Sequence, residues 1–331
     1  MRRLFKSLIP LVLITIGLLW PLVFNGGSHV ATNIEDPVVF SNYKADYVVN
    51  DDGRLDAVET ITAEFPAGRH GIFKYWDVTN QNNPRIRQQP EVTSILLDGK
   101  WAPYQMQWED GERFRVAKIG DPDNYLTPGT HVYEIRYTID GVLDPGTTGA
   151  DKRFAESVGE PEKAASAFYW NVVAQAWNNR IQRADITITL PGDVPQAQCS
   201  VGYGVGAPCH GLAISGNKVE LTAEHLAART PVTVRASVDV RTPPRAELPW
   251  PYTWDRILGQ SLTGVLWVVG LSVAAGLGAF LLYRTTVEPS PGFPLQYAPP
   301  PGLGPVQTEY IRTEALPKNA LTATLFYLAE R

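Results

Sequence analysis

Cysteine and histidine are scarce in this chain, and the spacing of the few present excludes the commonest catalytic and metal-binding motifs. The 331 residues include 2 cysteines and 5 histidines. There is no His-Glu-x-x-His pair, no Gly-x-Ser-x-Gly turn and no phosphate-binding glycine loop. Cys199 and Cys209 lack the Cys-x-x-Cys pairing usual at zinc sites. We therefore predict a protein that is not an enzyme and has no catalytic, cofactor-binding or metal-binding residues.

A strong excess of charge of one sign is also missing. The chain has 29 Lys and Arg against 34 Asp and Glu, a net charge of −5, and its basic residues are scattered. Because nucleic-acid-binding surfaces concentrate Lys and Arg on one face, nucleic acid is excluded as an expected partner.

Long apolar runs, in contrast, are present, and the first lies close to the N-terminus. Residues 8–24 are uncharged and follow Arg2, Arg3 and Lys6. A basic start followed by an apolar run is typical of a chain that enters the membrane and leaves the cytoplasm. Residues 1–28 are therefore predicted to be a signal peptide or a signal-anchor, and cleavage is left open.

The second apolar run covers residues 257–283 and contains no charged residue. A spanning helix needs about 20 apolar residues, because only a helix satisfies its backbone hydrogen bonds within one segment in a bilayer. Trp250, Tyr252 and Trp254 precede the run and Tyr283 ends it, as expected of aromatic rings at headgroup depth. We predict a transmembrane helix over residues 257–283, with the lipid bilayer as partner; self-association is left open.

The order of the two runs predicts the topology. If the first run starts inside, the bulk of the chain is extracytoplasmic and the second run returns the tail to the cytoplasm. Residues 284–331 then form a Pro-rich linker and the start of a cytoplasmic helical segment. The predicted location is the plasma membrane.

Residues 33–243 read as a mainly β, β-sandwich-like extracytoplasmic domain. Along one run, Ile186, Ile188 and Leu190 alternate with threonines, which places them on one buried face. The domain is one large sandwich or two lobes with a break near residues 144–166. Short β-rich runs throughout it are separated by the turn dipeptides Asp52-Gly53, Asp98-Gly99 and Gly216-Asn217.

The two cysteines flank the glycine-rich segment SVGYGVGAP inside this predicted outer domain. Outside the cytoplasm a nearby pair of this kind oxidises, and a closed loop of this size contributes roughly 2–3 kcal/mol. A disulfide between Cys199 and Cys209 is therefore predicted.

Two sets of side chains allow more than one interpretation. Trp170 and Trp177 lie in a polar stretch and are interpreted as large side chains that fill the core or the edge of the β domain. The alternative is an exposed aromatic platform. Glu59 is interpreted as an outward strand residue and His70 as a loop residue. The alternative is a catalytic group formed by Glu59, His70 and Arg69.

Three sequence blocks carry a family resemblance. They are an Asp-Gly hairpin followed by Gly-Ile-aromatic-Lys, a Trp-Asn…Trp…Ile…Leu-Pro block, and a Pro-Pro…Gly-Leu-x-Pro segment after the second apolar run. The matching residues of the first two blocks are Glu59, Gly71, Ile72, Phe73, Lys74, Trp170, Asn171, Trp177, Ile181, Leu190 and Pro191. With these blocks the chain resembles the bacterial predicted membrane proteins known as domain of unknown function 2207.

The resemblance implies an extracytoplasmic β-rich domain anchored by a membrane helix, and it brings no known activity or catalytic residues. The chain has Lys74, Tyr75 and Trp76 where that family commonly has Arg followed by Ile-Pro. The family also usually continues beyond the point where this chain stops. Its motifs make Glu59, Gly71, Ile72, Phe73, Lys74, Trp170 and Trp177 the candidate interaction residues.

Two hypotheses about function follow. The first is a non-enzymatic, membrane-anchored interaction or sensor module whose outer domain binds a cell-envelope component or another membrane protein. The alternative is a hydrolase-like enzyme of the cell envelope that uses Glu59 and its neighbours. A pocket that gathers Glu59, His70 and a second carboxylate favours the enzyme, whereas a flat surface rimmed by aromatic side chains favours binding.

Overall fold

A computed structural model describes residues 35–80, 82–161, 163–286, 302–316 and 318–329, together with Val12 and Ile16. The predicted signal segment otherwise lies outside the described residues. Sixteen strands occur in the described part of the chain. In order they are β1 (Val39–Val49), β2 (Leu55–Phe65), β3 (Gly71–Asp77), β4 (Pro90–Leu97), β5 (Lys100–Trp101), β6 (Tyr104–Glu109), β7 (Phe114–Gly120), β8 (Gly129–Ile139), β9 (Leu143–Pro145), β10 (Glu156–Gly159), β11 (Ser166–Val173), β12 (Ile181–Thr189), β13 (Gln196–Val201), β14 (His210–Ser215), β15 (Lys218–Leu226) and β16 (Val232–Val238).

These strands form three sheets, and the predicted mainly β fold is confirmed. The largest has eight strands in the order β14-β15-β12-β1-β2-β8-β4-β5. A second has the order β10-β13-β16-β11-β9, and the third is β3-β7-β6. Neighbours in the large sheet are antiparallel except for β1 and β12, which run parallel.

The core lies between the eight-stranded sheet and the two smaller sheets. Side chains alternate along β2, where every second residue from Leu55 to Phe65 is buried. β8 and β12 repeat this pattern, and the buried faces predicted for Ile186 and Ile188 are confirmed. The resulting two-layer arrangement is a β sandwich.

The predicted turns join the strands they were expected to join. Gly53, with φ +79°, lies in the turn between β1 and β2. Asp98 and Gly99, with φ +49° and +76°, connect β4 to β5. A positive φ at such positions is accessible to Gly at no steric cost, which explains why these dipeptides are reliable turn signals.

Residues 144–166 do not separate the strands into independent sheets. β1, which precedes this segment, pairs with β12, which follows it, from Phe40 with Ile181 to Val48 with Thr189. Buried residues from both sides belong to one hydrophobic cluster.

The Sγ atoms of Cys199 and Cys209 lie at disulfide-bonding distance, with their Cα atoms 6.0 Å apart, as the sequence predicted.

A long apolar helix follows the sandwich. A 3₁₀ turn (Tyr252–Trp254) leads into α1 (Asp255–Leu258), and α2 (Leu262–Thr286) is long and apolar enough to cross a membrane. The sequence placed the start of this helix at residue 257. It begins at Leu262 because Gly259, with φ +72°, ends the short helix before it.

Two further helices lie near the C-terminus and form part of a separate compact unit. α3 (Pro305–Thr313) starts with Pro at its first position, and α4 (Ala320–Ala329) is short and apolar. Leu321, Leu325 and Leu328 are exposed on α4. The predicted helical tail is thus present, and its Pro-rich linker lies mostly outside the described residues.

Candidate functional site

Glu59 is buried, so the expectation of an outward-facing strand residue is wrong. It occupies the inward positions of β2 together with Ala57 and Ile61, and 0% of its surface is exposed. The period of two along LDAVETITAEF already places residue 59 in the same set as Leu55 and Phe65. A carboxylate in such a position requires a partner, because an unpaired buried charge is costly.

The partner is Lys74, which the alternation of β3 directs toward the same interior. Ile72, Lys74 and Trp76 are the buried residues of that strand. Lys74 Nζ lies 2.5 Å from Glu59 Oε2, as an ion pair rather than an aligned hydrogen bond, and the two side chains are 4% and 0% exposed. The buried pair therefore bridges the eight-stranded and three-stranded sheets.

Aromatic rings surround the Lys74 ammonium. Its Nζ lies 4.5 Å from the centroid of the Trp177 ring and 5.4 Å from that of Trp76. The rings of Tyr43 and Tyr137 are each 5.7 Å away. Such faces attract a cation, and the attraction is strongest where water is excluded.

Two tyrosine hydroxyls donate to the other oxygen of Glu59. Tyr137 OH lies 2.5 Å and Tyr47 OH 2.9 Å from Glu59 Oε1. Burial, and then the Glu59 charge, raise the pKa of Tyr43, Tyr47 and Tyr137 well above the usual range, so the three hydroxyls remain protonated. Burial lowers the pKa of Lys74, and Glu59 offsets only part of that effect.

A small cavity adjoins this cluster. Its volume is about 50 Å³, and its lining includes Tyr47, Lys74, Tyr137, Trp170 and Gln175. That volume has room for a few water molecules and lies far below the roughly 300–1,000 Å³ typical of small-molecule sites. Trp170 is only partly buried here and packs against Phe168 with ring centroids 6.3 Å apart.

A larger groove of about 310 Å³ runs along the start of β3. It is lined in part by the candidate residues Gly71, Ile72 and Phe73, together with His70 and Lys118. A Cβ at residue 71 would come within 1.8 Å of the Ile119 carbonyl oxygen, which explains why glycine is needed there.

His70 is separate from Glu59 and is held by backbone groups. Its Nδ1 lies 3.1 Å from the Asp121 carbonyl oxygen and 2.9 Å from that of Asn124, and its ring packs on Tyr125 at 4.2 Å. Neither of the two cavities described above gathers Glu59, His70 and a second carboxylate. Among the described residues, no group of three or more His, Cys, Asp or Glu side chains could hold a metal ion.

The structure divides the seven candidates among three places. Glu59, Lys74 and Trp177 form one buried cluster, Trp170 lines the small cavity beside it, and Gly71, Ile72 and Phe73 line the larger groove. The sequence reasoning missed the tyrosines and Trp76 that complete the buried cluster. The missed signal was period-two alternation, which places Tyr43 and Tyr47 on one face of β1 and Tyr137 among the buried residues of β8.

A second buried ion pair connects the sandwich to the segment before the apolar helix. Arg87 Nε and Nη2 donate to Asp255 Oδ2 and Oδ1 at 2.6 and 2.7 Å. Trp250 Nε1 also donates to Asp255, at 3.1 Å. We call Arg87, Asp255 and Trp250 the juxtamembrane clasp. The bidentate geometry fixes the two side chains relative to each other, and removal of either partner would leave the other charge buried and unpaired.

A β sandwich followed at once by an apolar helix of membrane-spanning length defines a class, the membrane proteins with a β-rich domain outside the bilayer core. Residues 40–238 match the family model described as the N-terminal domain of a predicted membrane protein, DUF2207. The chain belongs to this family. No curated protein matches the chain.

Some solved structures are similar to part of the chain. Yeast LTA4 hydrolase in complex with bestatin has 9% sequence identity and a TM-score of 0.37, and the match covers 61% of this chain and 29% of that one. M1 zinc metallopeptidase from Deinococcus radiodurans has 14% identity and a TM-score of 0.33, with 60% and 42% covered. The chain thus spans less than half the length of these proteins, and at such TM-scores no activity is inferred.

Proposed function

We propose that the protein is a membrane-anchored, extracytoplasmic interaction or sensor module and not an enzyme. The observation that carries this proposal is the juxtamembrane clasp. Asp255 is 2% exposed and lies seven residues before the start of α2 at Leu262. The buried, bidentate ion pair ties the sandwich to α1, and only residues 259–261 separate α1 from the apolar helix, so a change in the sandwich has a short path to that helix.

The state of Glu59 supports binding over catalysis. A general base must lie within hydrogen-bond reach of its substrate. Both Glu59 oxygens instead face Lys74, Tyr47 and Tyr137, and the adjoining cavity has room for only a few waters. Exposed aromatic side chains offer contact surface, since Trp101, Tyr125 and Tyr203 are 67–68% exposed.

The proposed sidedness is tested with single cysteines at two exposed positions. Trp101→Cys lies on the sandwich, and Leu321→Cys lies on α4, where Leu321 is 78% exposed. A membrane-impermeant maleimide applied to intact cells should label Trp101→Cys, and should label Leu321→Cys only after lysis. The reverse pattern would overturn the proposed orientation.

Binding and hydrolysis are distinguished with the purified full-length protein and isolated cell-envelope fractions. We expect saturable retention on one fraction, with no soluble product released over time. Retention should persist in Glu59→Gln and weaken when Trp101 and Tyr203 are replaced by Ser. Release of a soluble product that stops in a folded Glu59→Gln variant would instead establish the hydrolase alternative.

A further inference from the structure

The buried pairing of an amine and a carboxyl group suggests a covalent step. We propose that Lys74 Nζ and Glu59 Cδ condense to an intramolecular amide that links β3 to β2. This inference concerns a modification within the sandwich and does not depend on the proposed function. The geometry that carries it is the 2.5 Å approach of Lys74 Nζ to Glu59 Oε2 among buried aromatic rings.

Burial makes the charged ammonium costly and the neutral amine accessible. Removing two charges from water costs several kcal/mol per ion, and mutual attraction repays this only in part. Burial accordingly lowers the pKa of Lys74, and the neutral amine, which is nucleophilic, lies beside the carboxyl group of Glu59.

Proximity favours condensation over hydrolysis. Two groups fixed in reacting geometry attain effective concentrations of roughly 10⁵–10⁸ M. Both groups are fixed here, because Glu59 lies on a central strand of the eight-stranded sheet and Lys74 is enclosed by rings. The exposed Lys44–Asp46 pair, at 2.9 Å, has a similar separation but is open to water, and we expect no bond there.

The step balances without any further reactant. The Nζ lone pair attacks Cδ, forming the C–N bond, and the Cδ–Oε2 bond breaks. The leaving oxygen departs as water with two of the three protons first held by the ammonium, and the third stays on the amide nitrogen. No group is oxidised or reduced.

Neighbouring groups suit both the intermediate and the product. Tyr47 and Tyr137 donate to Oε1, the oxygen on which negative charge develops in the tetrahedral intermediate. Their raised pKa values keep these donors protonated. The cavity of about 50 Å³ beside Lys74 can receive the released water.

The test is peptide mapping of the full-length protein purified from membranes, reduced and digested with trypsin. An amide blocks cleavage after Lys74, so residues 55–69 and 70–85 should appear as one branched peptide lighter than the sum of its parts by one water. Fragmentation should place the branch at Glu59 and Lys74. Linear peptides 70–74 and 75–85, with no branched form, would overturn the proposal.

Two variants with matched chemistry complete the test. Lys74→Arg keeps the positive charge but should abolish the water loss, and Lys44→Arg should leave it intact. Intact-mass measurement of the wild-type chain decides the matter even if Lys74→Arg does not fold. A wild-type mass equal to that of the unmodified reduced chain means that the contact is an ion pair only.

Discussion

At the scale of single residues, the two tryptophans of the polar stretch differ in burial. Trp177 is 1% exposed, packs edge-on against Phe40 and Tyr43, and donates from Nε1 to the Phe73 carbonyl oxygen at 2.7 Å. Trp170 is only partly buried.

Trp177→Ala should therefore lower the free energy of unfolding by about 3–5 kcal/mol, the usual cost of removing a buried aromatic side chain. The matched change Trp170→Ala should cost only about 1–2 kcal/mol, since less surface returns to water. Urea unfolding of both variants provides the comparison. Equal losses would contradict the assignment of Trp177 to the core and Trp170 to its margin.

His131 makes the stability of the sandwich depend on pH. Its Nδ1 lies 2.7 Å from Asp98 Oδ2 and its Nε2 lies 2.8 Å from the Thr127 carbonyl oxygen. The doubly protonated ring can therefore donate a hydrogen bond to each of these two oxygens. Burial opposes the charge, but these two contacts, helped by Glu64, prevail and raise the pKa of His131. Burial likewise opposes ionisation of Asp98, yet the Val132 N–H and His131 lower the pKa of that carboxyl.

A raised folded-state pKa contributes stability that is complete below the unfolded value of about 6.5 and is lost as pH rises through the folded value. The lowered pKa of Asp98 acts oppositely, losing its contribution as pH falls below about 4. The stability difference between wild type and His131→Gln should thus be greatest between about pH 4 and 6.5 and shrink toward pH 9. His210→Gln, at an exposed position, is the control, and a flat difference would be the contrary result.

Period-two alternation predicts much of the core from the sequence. It correctly placed Ile186 and Ile188 inward, and by the same count it places Glu59 inward. The charge of Glu59 favoured the opposite interpretation, because a buried carboxylate makes sense only with a partner. That partner, Lys74, lies on another sheet, and no local pattern predicts which strands of two sheets face each other.

At the scale of elements, the segment between β9 and β10 packs on the five-stranded sheet through Arg235 and Tyr169. Arg235, 3% exposed, donates to the carbonyl oxygens of Thr148 at 2.7 Å and Gly146 at 2.8 Å. Phe154 packs on Tyr169 from the same segment. The planar guanidinium reaches the two carbonyls from two different nitrogens, Nε and Nη2, whereas a Lys side chain would have to reach both from a single nitrogen.

Arg235→Lys should therefore loosen this segment while leaving the sheet folded. Hydrogen bonds from a charged donor are worth about 1.5–3 kcal/mol, so losing one should speed amide exchange at Gly146, Thr148 and Ala150 by about tenfold or more. Exchange measured by mass spectrometry tests this. Arg183→Lys, at an exposed pair on β12, should change nothing in the segment. Unchanged exchange in Arg235→Lys would show that other contacts hold it.

The hairpins were predictable because a turn dipeptide sets the backbone angles of the four consecutive residues that form the turn. The pairing of β1 with β12 was not, since it joins residues far apart in sequence and depends on the whole core. The cysteine pair was predictable for a local reason, because only a short glycine-rich segment separates the two thiols.

At the scale of the whole molecule, the juxtamembrane clasp determines how firmly the sandwich is joined to the start of the apolar helix. The segment before α1 also donates backbone N–H groups to the loop that carries Arg87, from Leu248 to Arg85 at 3.0 Å and from Tyr252 to Pro84 at 2.5 Å. By contrast, the neighbouring Arg85–Glu247 pair is 48% and 39% exposed. Of these two ion pairs the clasp is the buried one, so its loss should matter more.

Asp255→Asn keeps the shape of that side chain but leaves the buried Arg87 charge without its counter-charge, a change that costs about 3–5 kcal/mol where a buried pair is broken. In full-length protein reconstituted in bilayers, amides of Leu248 and Tyr252 should then exchange faster. The distance distribution between nitroxide labels at Trp101→Cys and Leu266→Cys should broaden. Glu247→Gln, which removes only an exposed pair worth about 1 kcal/mol or less, should change neither. If Asp255→Asn leaves the distance distribution as narrow as in wild type, the clasp does not fix the sandwich to the helix, and the proposed sensor role loses its physical basis.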